Sequence, residues 1–464
     1  READDRQASG QPLGPLHGVP ITIKECFHVA GTPATIGIGS LVGKLSTTDS
    51  PLVTRLKAAG AIVLGKTNLP QLMLMHESDN PVYGRTNNPW DLERTSGGSS
   101  GGEAAIVAAG GSPWGLANDL GGSIRLPAHF CGLCGVRPSS QRLTRRGTVS
   151  NLHGMEAIQS QPGPLTRSVD DAALLLRVLV GDAAQSAEHD VVPAPWRDPA
   201  AVELRGLRIA WWDDNGYFPY APAIPRAVRQ AVQLLREQGA IVEQLQPPKI
   251  SEAMYLYTAI LAADGAADAK RMLSGSAIDP RIRRLLLAGS FPNWSRPLVA
   301  AILKLTGAND QAGLVRAARR RTADGYWRLL QRLSDYRQAF LNDFSTRYDA
   351  LILPPYALPA PQHGQASDLI AAAGDCFLIN LLGLPSGVVP VTTVQANEET
   401  ARPGSRELTA RLASECERHS AGLPIGVQVA ANFWREDIVL AIMQAIETGC
   451  QSTVGKLPRM AHAN

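Results

Sequence analysis

Apolar positions in this chain fall into short runs punctuated by glycine and proline, as expected of strands alternating with helices. Ile21 and Ile23 alternate with Thr22 and Lys24, which predicts a strand ending at Lys24 with the lysine on its polar side. Ser50-Pro51 then supplies an N-cap and a proline at the first helical position. Leu52, Val53 and Leu56 form the apolar stripe of that helix, Gly60 ends it, and Ala61-Ile62-Val63-Leu64 predicts the next strand. This strand–helix–strand order argues for an α/β sheet with helices on its faces.

The pattern continues along the chain. Residues 104–109 predict an Ala-rich helix packed tightly on the sheet, and residues 207–212, 226–238 and 240–242 predict a strand, a helix and a strand. Residues 251–345 are mainly helical in pattern. Strand-like runs return at 350–353, 386–389 and 425–429, with a polar surface excursion at about 395–420 between the last two. Sheet-like pieces therefore lie at both ends of the helical stretch. The expected fold class is α/β, a single large mixed-sheet core flanked by helices with a helical insertion. One domain is expected over residues 1–464.

The chemistry concentrates in two segments, Thr95-Ser96-Gly97-Gly98-Ser99-Ser100-Gly101-Gly102-Glu103 and Asn118-Asp119-Leu120-Gly121-Gly122-Ser123-Ile124-Arg125. Glycines admit backbone conformations closed to other residues and let a substrate approach the main chain. Gly121-Gly122-Ser123 can thus aim successive N–H groups into one concavity. A serine on its rim offers both a nucleophile and donors for the oxyanion that acyl transfer creates. Three other readings compete. A flexible linker does not alternate with Ala-rich helices and strand-like runs. A phosphate loop needs a Gly-Lys-Ser/Thr that is missing here. Gly97-Gly98-Ser99-Ser100-Gly101 has the spacing of a nucleophile elbow, but that motif needs a strand just before it, and Asp91-Leu92-Glu93-Arg94 is polar and turn-like. His129 and His153 are candidate bases for that reading and sit in no recognisable setting.

Residues 97–103 and Asp119-Leu120-Gly121-Gly122-Ser123-Ile124-Arg125-Leu126-Pro127 closely resemble the signature of the amidase signature family. Further matches lie at 16–25, 65–68, 87–90, 163–167 and 422–428, so the resemblance runs from residue 14 to about 183 and resumes in the last third. It implies a signature core at about 14–183, a helical insertion or lid at about 251–345, and a return to the sheet at about 346–450. It also implies a Ser–Ser–Lys triad, with Lys24 as base, Ser99 as bridge after a cis peptide from Gly98, and Ser123 as nucleophile. Main-chain N–H groups of Leu120, Gly121, Gly122 and Ser123 would form the oxyanion hole. Ser100, Asp119 and Arg125 match supporting positions, Arg125 being equally readable as an ordinary ion pair. An ammonium cannot accept a proton, so this chemistry requires Lys24 to be neutral, which burial promotes. Lys66, in Gly-Lys-Thr-Asn, is the competing lysine and reads as structural.

Within the family, Asn68-Leu69-Pro70-Gln71-Leu72-Met73-Leu74-Met75 and the segment 138–147 look more like free-standing hydrolases than like the glutamine-hydrolysing subunit of the tRNA-dependent amidotransferase, which remains the alternative. Met73 and Leu74 are the expected substrate contacts, although Leu72 and Leu74 equally suit core packing. Tyr255, Tyr257, Leu261, Trp294 and Ile302 of the helical middle are candidates for a lid or funnel. The expected substrate is a small amide, apolar or aryl, or a carbamate or ester, and no cofactor is called for. A non-enzymatic binding module is a further alternative.

Composition narrows the partners. With 44% apolar and 19% charged residues, and a net charge of +3 from 45 basic and 42 acidic side chains, nothing calls for nucleic acid or an acidic membrane surface. The basic run Arg316, Arg319, Arg320 and Arg321 reads as a solvated face of one long helix. Six scattered cysteines make no disulfide framework, and Cys131-Gly-Leu-Cys134 lacks the second pair a zinc site needs, so no metal is expected. No apolar run has the roughly 18 residues of a membrane span. A cytoplasmic home is expected, with a homodimer left open. The first residues begin as though mid-helix, so a missing upstream segment is also expected.

Overall fold

The computed structural model describes residues 1–181, 188–399, 402, 405 and 407–450. In chain order its strands are β1 Pro20–Lys24, β2 Ile62–Thr67, β3 Asp79–Asn80, β4 Gly84–Arg85, β5 Asn87–Asn88, β6 Asp91–Thr95, β7 Trp114–Asp119, β8 Cys134–Arg137, β9 Gln161–Thr166, β10 Arg208–Trp211, β11 Ile241–Gln244, β12 Ala350–Leu353, β13 Ser386–Thr393 and β14 Pro424–Ala431. Ten of these form one sheet in the order β11-β10-β12-β14-β13-β8-β9-β7-β1-β2. Both ends of the sheet are parallel, β2-β1-β7 at one and β11-β10-β12 at the other, while the centre is antiparallel. This is the mixed α/β sheet expected.

Local signals account for the half that carries the site. Ser50 caps the helix Pro51–Ala58, its hydroxyl accepting from the Val53 N–H, and Leu52, Val53 and Leu56 are buried. This helix carries the chain from β1 to β2, which pair in parallel. The helix Gly101–Ala108 buries Ala104, Val107 and Ala108 and packs on β7, β1 and β9. Its small side chains let the backbone approach the sheet closely, which brings Glu103 against β1.

Between β11 and β12 lie the helices Ile250–Leu261, Ala267–Met272, Pro280–Ser290, Arg296–Leu305, Asn309–Ala317 and Ala323–Arg347. Arg316 sits at the end of one of them and Arg319 to Arg321 follow it, so the basic run straddles a helix end rather than lying on one helix. Residues 91–94, expected to be turn-like, belong to the strand Asp91–Thr95, which pairs with Asn87–Asn88 in a separate hairpin. Tertiary contact overrides its polar composition, since Arg94 is buried and donates to the carbonyls of Ala360, Cys416 and Arg418. The polar stretch at 395–420 is more than a surface excursion, because its helix Leu408–Glu417 buries Ala413 and Cys416. Residues 400, 401, 403, 404 and 406 of that stretch, and 182–183 of the signature core, lie outside the described residues. Among the described residues, no helix is long and apolar enough to cross a membrane.

Candidate active site

Strand alternation places Thr22 and Lys24 on the face of β1 opposite Ile21 and Ile23. All four side chains are buried, because helices cover both faces here. Lys24 Nζ lies 2.6 Å from Ser99 Oγ, 2.9 Å from Ser100 Oγ and 2.7 Å from Asn118 Oδ1. Three oxygens at this range suit the three N–H bonds of an ammonium. Yet burial lowers Lys24 from 10.5 to about 8, against the opposing pull of Cys26, Asp119 and Glu103. The lysine therefore titrates close to neutrality. Ser100 Oγ also donates to the Asn118 carbonyl at 3.3 Å, which occupies its only proton. The Ser99 hydroxyl has no such acceptor among the described residues, leaving its proton free.

Glu103 stands beside this cluster. Its carboxyl accepts from Thr22 Oγ1 and Thr67 Oγ1, each at 2.7 Å, and burial pushes it up to about 8. The motifs alone assign no role to Asn118 or Glu103. Both lie inside the two glycine-rich segments, and the signal that could have found them is a polar side chain next to residues expected to be buried.

The Gly98–Ser99 peptide is cis, as the resemblance implied. Ser123 sits at the turn between β7 and the helix Arg125–Cys131, and both Ser99 and Ser123 line one cavity. Among the described residues no hydrogen bond joins their hydroxyls. Such bonds are often long in an unliganded site and tighten on substrate binding.

Asp119 and Arg125 organise the turn. Arg125 Nε and one terminal nitrogen donate to the two Asp119 oxygens at 3.0 and 2.9 Å, both side chains being wholly buried. Burial alone would raise Asp119, but Arg125, Arg137 and Asn380 hold it far below the carboxylate range. Asp119 also accepts from the N–H groups of Gly122 (2.8 Å) and Ile124 (3.0 Å). Arg125 is thus both an ion pair and a support of the turn. The Gly122 N–H, expected among the oxyanion donors, is engaged by Asp119. The N–H groups of Gly121 and Ser123 have no partner among the described residues.

On its other side the turn is held by its carbonyls. Tyr257 donates to the Leu120 carbonyl at 3.3 Å and stacks on Phe377 at 4.3 Å. His76 Nε2 lies 2.9 Å from the Gly121 carbonyl. Burial lowers His76 to about 4, so its ring is neutral near pH 7, and a carbonyl partner requires the proton on Nε2. Only glycine fits at 121, where a Cβ would stand 2.3 Å from Tyr257 Oη. Gly122 has φ +95, a conformation that favours glycine.

Two cavities share Met73, Leu120, Ser123 and Leu152. One, about 400 Å³, is lined by Leu74, Tyr257, Leu261 and Phe377 and is chiefly apolar. The other, about 300 Å³, is lined by Ser99, Asn118, Arg145, Arg146, Glu156 and Asp190. Met73 and Leu74 therefore face the site, while Leu72 is wholly buried in the core. Tyr255, Tyr257 and Leu261 line the apolar cavity, whereas Trp294 (81% exposed) and Ile302 (53% exposed) face outward on the helical middle. A larger open cleft of about 1120 Å³ runs along the outer edge of β2 and contains neither serine.

The other candidates are structural in their contacts. Lys66 Nζ donates to the Pro33 carbonyl. His129 bridges the Leu358 carbonyl and the Gly426 N–H. His153 Nδ1 pairs with Asp268 at 2.7 Å. Cys131 and Cys134 contact the Ser96 carbonyl and the Glu447 carboxyl respectively.

A buried lysine against Ser99 and Ser100, with Ser123 lining the same cavity as Ser99, offers the groups that acyl transfer needs. Comparison with known proteins places the chain among enzymes that hydrolyse amides. The Amidase family profile matches residues 1–440. The chain is 33% identical over 451 residues to fatty-acid amide hydrolase 1 of Sus scrofa, covering 96% of this chain and 77% of that protein. It is 32% identical over 455 residues to a glutamyl-tRNA(Gln) amidotransferase subunit of Roseiflexus sp. strain RS-1, covering 96% and 85%. A solved fatty acid amide hydrolase superposes with a TM-score of 0.83 at 26% identity, over 96% of this chain and 75% of that one. This chain belongs to the amidase signature family and is an amide hydrolase.

Proposed function

We propose that this enzyme cleaves amides of apolar acyl groups through an acyl-enzyme on Ser123, with Ser99 and Lys24 moving the protons. The observation that carries the reading is Lys24 Nζ at 2.6 Å from Ser99 Oγ, with Ser99 and Ser123 lining one cavity. Neutral Lys24 takes the Ser99 proton, Ser99 takes the Ser123 proton, and Ser123 Oγ bonds to the carbonyl carbon. The main-chain N–H groups of Leu120, Gly121 and Ser123 receive the negative oxygen. Tyr257 and His76 position this turn through its carbonyls, and Asp119 does so through the Gly122 N–H. Collapse breaks the C–N bond while the relay returns a proton to the departing nitrogen. Water then releases the acid by the same route. All groups used are side chains or main chain of this protein, acting as one amidase unit without a cofactor.

The apolar cavity, with Met73 and Leu74 in its wall, supports an apolar acyl group, whether in an amide, an aryl amide, a carbamate or an ester. Glutamine hydrolysis beside a partner protein is the rival reading, supported by the similarity to a component of the amidotransferase. A fluorophosphonate probe tests the nucleophile. Mass spectrometry should place the adduct on Ser123, and Ser123→Ala should abolish both labelling and turnover. An adduct on Ser99 or a cysteine would refute the assignment. Turnover of apolar amides by the purified chain in EDTA, against glutamine hydrolysis only after a second protein is added, separates the two readings.

A further inference from the structure

The two cavities at Ser123 differ in chemistry, and a cleaved amide has two halves. With an apolar acyl chain in the 400 Å³ cavity, the amine half is left with the polar cavity of about 300 Å³. Most charges in its wall are already matched. Arg145 pairs with Glu156 at 2.6 Å. Asp190 accepts from the Thr144 hydroxyl and the Arg145 N–H, each at 2.8 Å. His153 pairs with Asp268, which also holds Arg271 at 2.7 Å. Arg146 is the exception. Its backbone N–H donates to Thr144 Oγ1 at 3.1 Å, but its guanidinium has no hydrogen bond or ion pair among the described residues.

The loop bearing Arg146 is fixed on both sides. Arg142 donates to the carbonyls of Ala194 (2.6 Å) and Pro195 (3.1 Å). The Gly147 carbonyl accepts from the His28 N–H at 2.8 Å. The cavity rim therefore presents an exposed guanidinium on an anchored backbone, unmatched among the described residues. A guanidinium offers paired donors that fit a carboxylate.

We propose that the polar cavity receives the leaving amine and that Arg146 selects amines bearing an anionic group, making N-acyl amino acids a favoured substrate class. Hydrolysis adds the hydroxyl of water to the acyl carbon and a proton to nitrogen, releasing a fatty acid and a free amino acid. This rests on Ser123 being the nucleophile, as proposed above.

The test compares an N-acylglycine with the matching N-acylglycinamide, which shares the acyl chain but lacks the charge. The wild-type enzyme should favour the anion in kcat/KM. Arg146→Gln should lower the anion-to-neutral ratio about fivefold, equal to about 1 kcal/mol and in the range of a solvent-accessible ion pair. Arg146→Lys should retain part of the preference. In the wild type, 0.5 M NaCl should shrink the ratio by screening, a response that a structural role would not give. An unchanged ratio in Arg146→Gln, or a wild-type ratio at or below one that is indifferent to salt, overturns the proposal. If instead Ser123→Ala still hydrolyses both compounds, the nucleophile assignment fails and this inference falls with it.

Discussion

Lys24 and Ser99, 75 positions apart in sequence, stand with Nζ and Oγ 2.6 Å apart in a fully buried setting. Removal from water drives the lysine down to about 8. One amine can thus hold a proton in one step and be free of it in another near neutral pH.

The pH dependence follows from the sign of that shift. Protonated Lys24 cannot act as base, so kcat/KM for amides should rise with pH through an apparent pKa of about 8 and level above it. A profile over pH 6 to 10 checks this. A rate that falls across the interval would remove Lys24 from the role of base.

Lys24→Ala should harm amides more than esters. An amine leaves poorly without a proton, whereas an activated ester expels its alkoxide or phenoxide with little help. With an amide and an ester of one acyl group, the amide rate should fall at least about tenfold further, which is about 1.4 kcal/mol of barrier. Equal losses would make Lys24 structural.

Asn118 Oδ1 accepts from Lys24 at 2.7 Å and so favours the ammonium. Asn118→Ala should move the midpoint of the ascending limb below about 8 while lowering kcat. An upward move would mean that Asn118 destabilises the charged lysine.

Tyr257→Phe keeps the ring stacked on Phe377 but removes the hydroxyl that holds the Leu120 carbonyl. Loss of a direct oxyanion donor costs about 100-fold or more in kcat, so an indirect support should cost less, about tenfold. The loss should appear in kcat with KM little changed. A pure KM effect would place Tyr257 in acyl binding alone.

Asp119→Asn leaves the buried Arg125 without its anion. Breaking such a pair destabilises by about 3–5 kcal/mol, measurable by urea denaturation. A change under about 1 kcal/mol would show that Asn380 and Gln428 satisfy Arg125 unaided.

Much of the site's neighbourhood was legible along the chain. Period-two alternation located β1 and put Lys24 on its polar face, and Ser50-Pro51 marked a helix start that the structure keeps. The glycines of 121–122 signalled a turn closed to other residues. What failed were local readings of segments held by distant contacts. Asp91–Arg94 looked like a turn, yet Arg94 is anchored to carbonyls more than 260 positions away. Of the candidates for a lid or funnel, Tyr255, Tyr257 and Leu261 line the apolar cavity, while Trp294 and Ile302 are exposed.

The order of strands and helices, the glycine turn and the polar face of Lys24 follow from short-range rules of backbone geometry and periodicity, which act over a few residues. Folding alone brought Asn118 and Glu103 to the lysine and split the space around Ser123 into an apolar and a polar cavity. It also engaged the Gly122 N–H with Asp119 and left Arg146 without a counter-charge among the described residues. These depend on sheet order and burial, which join residues tens to hundreds of positions apart. Desolvation, the cause of the lowered lysine, exists only when the whole core has closed around it.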